Sequence, residues 1–407
     1  MKKCPFAVLV TLLFVVMVSV TFAAEPIRIG WVGPLSAPGA YAGGQEMKWA
    51  AELAADEINS AGGVLGRPIE VVYEDTRGMP EQGTAAMERL VTGKKVVAVF
   101  GEFHSSVGLA EIEVAHKYGI PFIASEVWAD DITARQYPEV FRVAPANSMI
   151  YDIVAAWVVA AGFKNVAIMQ ETTDWGVGAV KVLTQKFDQH GVKYSVTTVE
   201  LTQQDFTAQI LRFMNQKPRP DLFMNMLAGE GSYRITRQSC ELGFAPTPQT
   251  ALYSGGSPSL YPEFWENVGE CGVYLMAELV GLPKQIWNEK TRAFIAAFKK
   301  RFDRTPSAVG MESYDSLYLI VEAIRQAGST DPKAMIKTLE TLRWTGTRGE
   351  YWFSTKREPA WAYHQFLDAP VVVIQYDRVN QGTDDAKILW PKRWATTKEL
   401  YLKVKKK

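Results

Sequence analysis

Residues Ile27 to Asp75 run as an apolar strand, a Gly/Pro/Ser loop, an Ala-rich helix closed by Gly62-Gly63, and a second strand. That order is a βαβ unit, whose crossover between parallel strands is almost invariably right-handed. A chain that starts this way is committed to an α/β sheet, because parallel strands need helices to cover their faces. Open sheets of this kind gather ligands at the carboxyl ends of their strands. The loop Gly33 to Gly44 is thereby the first candidate binding loop.

Ahead of the unit, Lys2 and Lys3 precede an apolar run from Phe6 to Val20, and Thr21-Phe22-Ala23 occupies the cleavage positions. Residues 1–23 therefore read as a cleaved secretory signal, which places the mature protein in the periplasm. The competing reading is an uncleaved anchor, but the run falls short of the roughly 18 apolar residues that suggest a span. Cys4 stands before the apolar run, where it does not read as a lipid-attachment site. The mature chain keeps Cys240 and Cys271, either as a disulfide or as free thiols, both at strand amino ends away from the ligand side.

With the leader removed, about 380 of the 407 residues remain, enough for two cores of ordinary size. Lys+Arg and Asp+Glu number 44 each, a balance that argues against nucleic acid as a partner. The lysines at 403 and 405–407 read as a solvated tail.

Strand and helix patterns alternate through most of the chain. Strands are expected at Ile27 to Val32, Ile69 to Tyr73, Val96 to Phe100, Ile120 to Ala124 and Val140 to Val143, with helices near Gln45 to Asn59, Glu81 to Val91 and Ser106 to Tyr118. The rhythm restarts after Arg142 to Asn147 and continues to a strand at Val273 to Met276, giving a second lobe of the same kind. Three helices then follow, Glu289 to Phe302, Ser313 to Ala327 and Pro332 to Leu342, without strands between them. They read as cover for one of the two sheets, and the late runs Tyr351 to Phe353 and Val371 to Tyr376 imply a further crossing.

Enzyme signatures are missing: there is no phosphate-binding Gly-Lys-Ser/Thr loop, no His-Glu-x-x-His and no Gly-x-Ser-x-Gly elbow. Gly176-x-Gly178 has Lys181 where a third glycine belongs, and His104, His116, His190 and His364 lack metal spacing. The expectation is a binding protein with no cofactor and no metal. The strand-end rule then brings Tyr41, Phe103, Trp128 and Trp175 toward one cleft, where aromatic side chains bury apolar ligand surface. Gly101 to Ser106 joins a strand end to a helix start, so free N–H groups and the hydroxyls of Ser105 and Ser106 face a ligand there. Ser105 also reads as a simple N-cap. Glu126 is a candidate charge partner, against the commoner fate of a loop carboxylate that faces water.

These residues resemble a known family, the type I periplasmic binding proteins of ABC importers in the leucine/isoleucine/valine-binding branch. The marks are Ile-Gly-x-x-Gly-Pro-Leu-Ser at Ile29 to Ser36, Asp56 to Asn59 with Ala61-Gly62-Gly63, and Glu74-Asp75-Thr76. Tyr137-Pro138 with Phe141-Arg142, Tyr314 to Leu317, and Ile388 to Pro391 with Ala395-Thr396 complete the set. The resemblance implies two Rossmann-like α/β lobes joined by three hinge crossovers, with residues 24–145 plus 279–358 in lobe one and 146–278 plus 359–407 in lobe two. It implies a monomer that closes on a small ligand and delivers it to an inner-membrane permease. Ser105 would hold a ligand carboxylate with help from the loop at Glu126 and Trp128, Tyr41 and Trp175 would close over it, and the mark at Tyr314 adds that residue. The chain departs from the amino-acid pattern at Glu126, at Trp128 and near Gly255 or Gly256, where the lobe-two acid is replaced. Glu126 or Glu230 would then have to receive an ammonium group. A ligand-sensing module and an enzyme on the same fold are the alternatives.

Overall fold

The computed structural model describes residues 25–397, so the expected leader and the lysine-rich tail lie outside the described residues. Lobe one is built on five strands, β1 (Ile27–Gly33), β2 (Ile69–Asp75), β3 (Val99–Gly101), β4 (Phe122–Ala124) and β5 (Val140–Arg142), all parallel in the order β2-β1-β3-β4-β5. Helices α1 (Tyr41–Ser60), α2 (Pro80–Glu88), α3 (Ser105–Tyr118) and the short α4 (Asp131–Ala134) make its crossovers.

The chain then passes to lobe two through α5 (Asn147–Ala161). There β6 (Asn165–Glu171), α6 (Asp174–His190), β7 (Lys193–Val199), α7 (Thr207–Met214), β8 (Leu222–Met226), α8 (Gly231–Glu241), β9 (Ala251–Ser254), α9 (Glu263–Val268) and β10 (Met276–Leu279) follow. The five strands run parallel in the order β7-β6-β8-β9-β10, the same arrangement as in lobe one. A second crossing leads to α10 (Glu289–Phe302), α11 (Ala308–Ala327) and α12 (Pro332–Thr341). As their strandless pattern implies, these cover the first sheet. Most of α11 is buried, and Ser313 on it takes the Trp31 indole N–H of β1 at 3.3 Å and donates to the Met47 carbonyl of α1 at 2.9 Å.

A hairpin, β11 (Trp344–Gly346) with β12 (Gly349–Tyr351), stands apart from both sheets. After a third crossing, β13 (Val372–Gln375) and β14 (Lys387–Trp390) add to lobe two as antiparallel edge strands beside β10. The late run expected as a strand at Tyr351 to Phe353 is thus the end of a hairpin, and the strand expected at Val273 to Met276 starts where that span ends. The third crossing also comes later than residue 358. Trp361 and His364 still bond to lobe one, through Thr133 Oγ1 (2.6 Å) and Arg142 N (3.0 Å).

One apolar core runs from α1, α11 and β1 of lobe one into α5, α6 and the second sheet. Separate cores fill the α2/α3 face of the first sheet and the α7/α8 face of the second. Arg142, fully buried beside the first crossing, donates to Gln365 Oε1 at 2.6 Å and to Ala129 O at 2.5 Å, so the first and third crossings are tied side by side. Cys240 and Cys271 are joined as a disulfide between the end of α8 and the turn before β10. Among the described residues no helix is long and apolar enough to cross a membrane.

Candidate functional site

In each sheet the strand order reverses once beside the first strand of the lobe, between β1 and β3 and between β6 and β8, and these are the points where open α/β sheets leave a crevice. The loops after β3 and β4 face those after β6, β8 and β9 across one seam. There Phe103, Ser105, Glu126, Trp128, Glu171 and Trp175 surround a tight cavity with Thr173, Ala228, Gly256 and Ser257.

On the lobe-one side, Gly101 has φ +123°, and a Cβ there would lie 2.1 Å from the Val32 carbonyl oxygen, so the strand can turn away only with glycine. Glu102 follows in a left-handed conformation, φ 62°, and its Oε1 accepts the N–H groups of Phe103 (2.9 Å) and His104 (2.8 Å). His104 Nε2 accepts from Ala40 N at 2.9 Å, joining this loop to the start of α1. Burial lowers the His104 pKa to about 4, so the ring is neutral, as its acceptor role requires.

Ser105 is already the first residue of α3 and does not cap it; His104 stands at the cap position. The N-cap expectation is therefore corrected: Ser105 Oγ accepts from Trp128 N and Ala129 N, both at 3.1 Å, and fixes the β4 loop. In the first turn of α3 the N–H groups of Val107 (3.0 Å) and Gly108 (2.9 Å) bond to His104 O. The alternative in which Glu126 faces water is also overturned, since Glu126 is 3% exposed. Its Oε1 takes a short hydrogen bond from Ser257 Oγ of lobe two, while Oε2 approaches Glu312 and the Trp128 indole without a well-formed bond. Burial raises the Glu126 pKa, partly offset by these neighbours. Behind it Glu312 of α11 pairs with Arg348 of the hairpin turn, both fully buried.

On the lobe-two side, Glu171 ends β6. Its Oε1 accepts from Thr173 Oγ1 and its Oε2 from Ala228 N (2.7 Å), so one carboxyl ties the ends of β6 and β8 together. Burial pushes its pKa up to about 7 against those bonds. Thr173 caps α6, accepting from Gly176 N at 3.3 Å. Trp175, expected in a loop, sits in the first turn of α6, because the helix begins at Asp174 and not near Gly178. Its ring lies over Gly256 (φ 75°), where a Cβ would come 3.2 Å from Cη2. Glu278 of β10 stands behind, accepting Gly256 N (2.6 Å), Tyr151 OH (3.0 Å) and Tyr253 OH, and burial raises its pKa to about 7.

The lobes meet directly. The Trp128 and Trp175 rings pack edge to face with centroids 6.2 Å apart, Ser106 Oγ accepts from Asp174 N at 3.0 Å, and Asn147 bonds to Trp128 O and Trp175 O. The space left between them is about 20 Å³, room for about one water-sized group. Tyr41 and Glu230 line a second hollow of about 200 Å³ further out on the same seam, with Phe103 shared between the two. Tyr314 belongs to neither: its hydroxyl bonds to Glu57, 4.7 Å separates its ring from that of Phe294, and α11 holds it within lobe one. A wider hollow of about 340 Å³ lies at the second crossing, lined by Leu279, Trp287 and Met311, away from the facing strand ends.

Sequence reasoning did not single out Glu171, Thr173, Ala228, Ser257 or the supporting pair Glu312–Arg348. The strand-end rule does place their loops, Gln170 to Gly176, Leu227 to Ser232 and Ser254 to Ser259, at the cleft. The signal for Glu171 is an acid closing an otherwise apolar strand, Val166 to Met169.

The family model described as "Periplasmic binding protein" matches residues 26–377. Leu/Ile/Val-binding protein homolog 3 of Brucella melitensis is 26% identical over 338 residues, covering 81% of this chain and 88% of that protein. The leucine-, isoleucine-, valine-, threonine- and alanine-binding protein of Pseudomonas aeruginosa is 25% identical over 342 residues, with 83% and 88% covered. In fold, the chain is similar to the branched-chain amino acid transporter substrate binding protein LivJ of Streptococcus pneumoniae, solved with isoleucine (TM-score 0.77, 22% identity, 90% and 100% covered). It is equally similar to an ABC transporter solute binding protein of R. palustris solved with benzoate (TM-score 0.77, 19% identity, 90% and 96% covered). With its two lobes of matching strand order, the chain belongs to the periplasmic binding protein family.

Proposed function

We propose that this protein is the extracytoplasmic solute-binding component of an ABC importer, which captures a small amino-acid-like, amide or aromatic carboxylate ligand between its lobes and hands it to an inner-membrane permease. The observation that carries the reading is the seam itself: two sheets turn their strand carboxyl ends toward each other, and side chains from both line one cavity. The bonds Glu126–Ser257 and Asp174–Ser106 cross that seam and would have to form and break as a hinge opens and shuts. Phe103, Ser105, Glu126, Trp128 and Trp175 form the inner ligand shell, Ser106 latches the lobes, and Tyr41 and Glu230 line the entrance. Ligand binding with no chemical turnover accounts for the cleft, and the named relatives are binding proteins.

Residues 1–23 serve export in this reading, and the mature protein works as a periplasmic monomer. A thermal-shift screen of amino acids, amides and aromatic acids tests it: at least one class raises the melting temperature, and no stabilisation by any class overturns solute binding. Recovery of the protein in the periplasmic fraction, shortened at its amino end, tests the export step.

A further inference from the structure

Behind the lobe-one wall, and outside the cavity lining, Glu102 after β3 and Glu111 on α3 bring two carboxyls together, both fully buried. Glu102 Oε1 is engaged by the N–H groups of Phe103 and His104, whereas Glu102 Oε2 and both Glu111 oxygens lack a well-formed hydrogen bond. Gly83 of α2 seals the space over them. A Cβ there would meet Val107 Cγ1 at 2.4 Å and Glu111 Oε1 at 3.1 Å, so at that point α2 and α3 pack with no side chain between them. Thr76, buried just past β2, is the other polar neighbour of Glu102.

No cation balances this pair. Among the described residues neither carboxyl forms an ion pair, and the elements packed against them present Gly83 from α2 and Thr76 from the end of β2, neither of them charged. His104, the titratable group of the same loop, is neutral and turned to Ala40 N. Two ionised carboxylates in contact and out of water repel each other and are both desolvated. One proton held between them removes a charge and supplies the missing donor. Glu111 is the member that keeps it, because the two N–H donors on Glu102 favour the ionised form there and Glu111 has no such donors. Burial, and then the charge of Glu102, hold the Glu111 pKa well above the usual carboxylate range, while burial pushes Glu102 up to about 7 against its donors.

The geometry points to Glu111 as a positioning residue of the lobe-one wall: it keeps a proton at neutral pH and shares it with Glu102, which sets the turn that carries Phe103 and Ser105. That turn needs a firm hold, since Gly101 and Glu102 both have positive φ, +123° and 62°. The Glu102 carboxyl is the hold, tying its own left-handed residue to the N–H groups just ahead of α3. A second charge on Glu111 would push against it. The disturbance would pass to Ser105, which fixes Trp128 N and Ala129 N. Glu111 thus acts on the cleft through Glu102, and the shared proton stands or falls independently of which solute enters.

Infrared difference spectra of the full chain at pH 7, wild type minus Glu111→Gln, test the proton directly: the carbonyl-stretching band of one protonated carboxyl is expected. Melting curves between pH 5 and 9 test it again. A pKa raised in the folded state means stability that is present below the ordinary glutamate value and lost as pH rises, so the wild-type melting temperature should fall more steeply with pH than that of Glu111→Gln. Other buried acids act on both proteins alike. Hydrogen exchange of the peptide holding Phe103 and His104 reads the turn. Glu111→Gln, which keeps a donor, should protect these amides as the wild type does, and Glu111→Leu, which has none, should exchange them at least about tenfold faster. Absence of the band, or melting curves that run parallel, would overturn the shared proton. So would a metal ion bound one to one in the wild type and missing from Glu111→Gln. Unchanged exchange in a folded Glu111→Leu protein would overturn the positioning role. Should that variant fail to fold, raising the pH ionises the same group in the wild type, and protection that falls no further there than in Glu111→Gln overturns the role equally. Solute binding is decided separately, by the thermal-shift screen.

Discussion

The two lobes share one strand order, yet they build their halves of the cleft from different chemistry. Lobe one offers a helix start: Glu102 pins the loop before α3, and Ser105 positions the β4 loop. Lobe two offers an acid, Glu171, that spans two strand ends, with Glu278 buried behind Gly256. Where the two sides touch, lobe two donates and lobe one accepts, from Ser257 Oγ to Glu126 and from Asp174 N to Ser106 Oγ. The shared topology decides where a ligand can sit, and the side chains at the strand ends decide which end of it goes where.

The lobes also differ in what holds each wall rigid, and that difference can be broken selectively. The largest effect is expected at Arg348, the cation behind lobe one's wall. Arg348→Met leaves Glu312 buried without its partner and should cost about 3 to 5 kcal/mol in urea-induced unfolding. Because Glu312 lies against Glu126, solute affinity should fall as well. Lobe two is stapled instead by Cys240–Cys271, which closes a 31-residue separation. Replacing both cysteines by serine should cost about 3.7 kcal/mol by loop-closure entropy. Titration with a ligand from the thermal-shift panel should find affinity unchanged, since the staple joins the end of α8 to the turn before β10, away from the cavity lining. A loss of affinity in that variant would show that the staple shapes the site after all.

The smallest effect is expected at Ser105→Ala, which removes the acceptor of two N–H groups and one donor to ligand. Binding should weaken by about 1 to 3 kcal/mol in the same titration. Unchanged affinity would mean that the lobe-one helix start takes no part in the grip, and the contrast between the two walls would fail.

Much of this architecture was legible in the residues. Both lobes, the helices covering lobe one and the strand-end loops follow from hydrophobic period and punctuation, because parallel strands leave apolar runs bounded by glycine and proline. Trp128 and Trp175 were reachable for the same reason, since they stand just after strands. Glu171 was not, because an acid at a strand end looks solvated until the neighbouring strand brings Ala228 N to its side chain. Glu278 was hidden by register: its strand begins where the expected one ends, which exchanges loop for buried strand. Tyr314 entered through resemblance alone, and nothing in its surroundings placed it near a strand end. Glu126 shows the opposite case, a loop carboxylate whose burial depends on α11 and the hairpin turn, far away in sequence.

The three crossings also bear on the order in which the molecule can assemble. Lobe one lacks the α11 that packs along α1 until residues 308–327 have arrived, and the second sheet lacks its β13 and β14 edge until 372–390 follow. Neither half is complete as a continuous stretch of chain, and the last pairings reach far in sequence, 93 to 99 residues from β10 to β13 and 223 from Arg142 to Gln365. Contacts of such long range form late and slowly. A structure that cannot be finished until its final strands are made leaves both lobes incomplete until the last residues of the second sheet are in place.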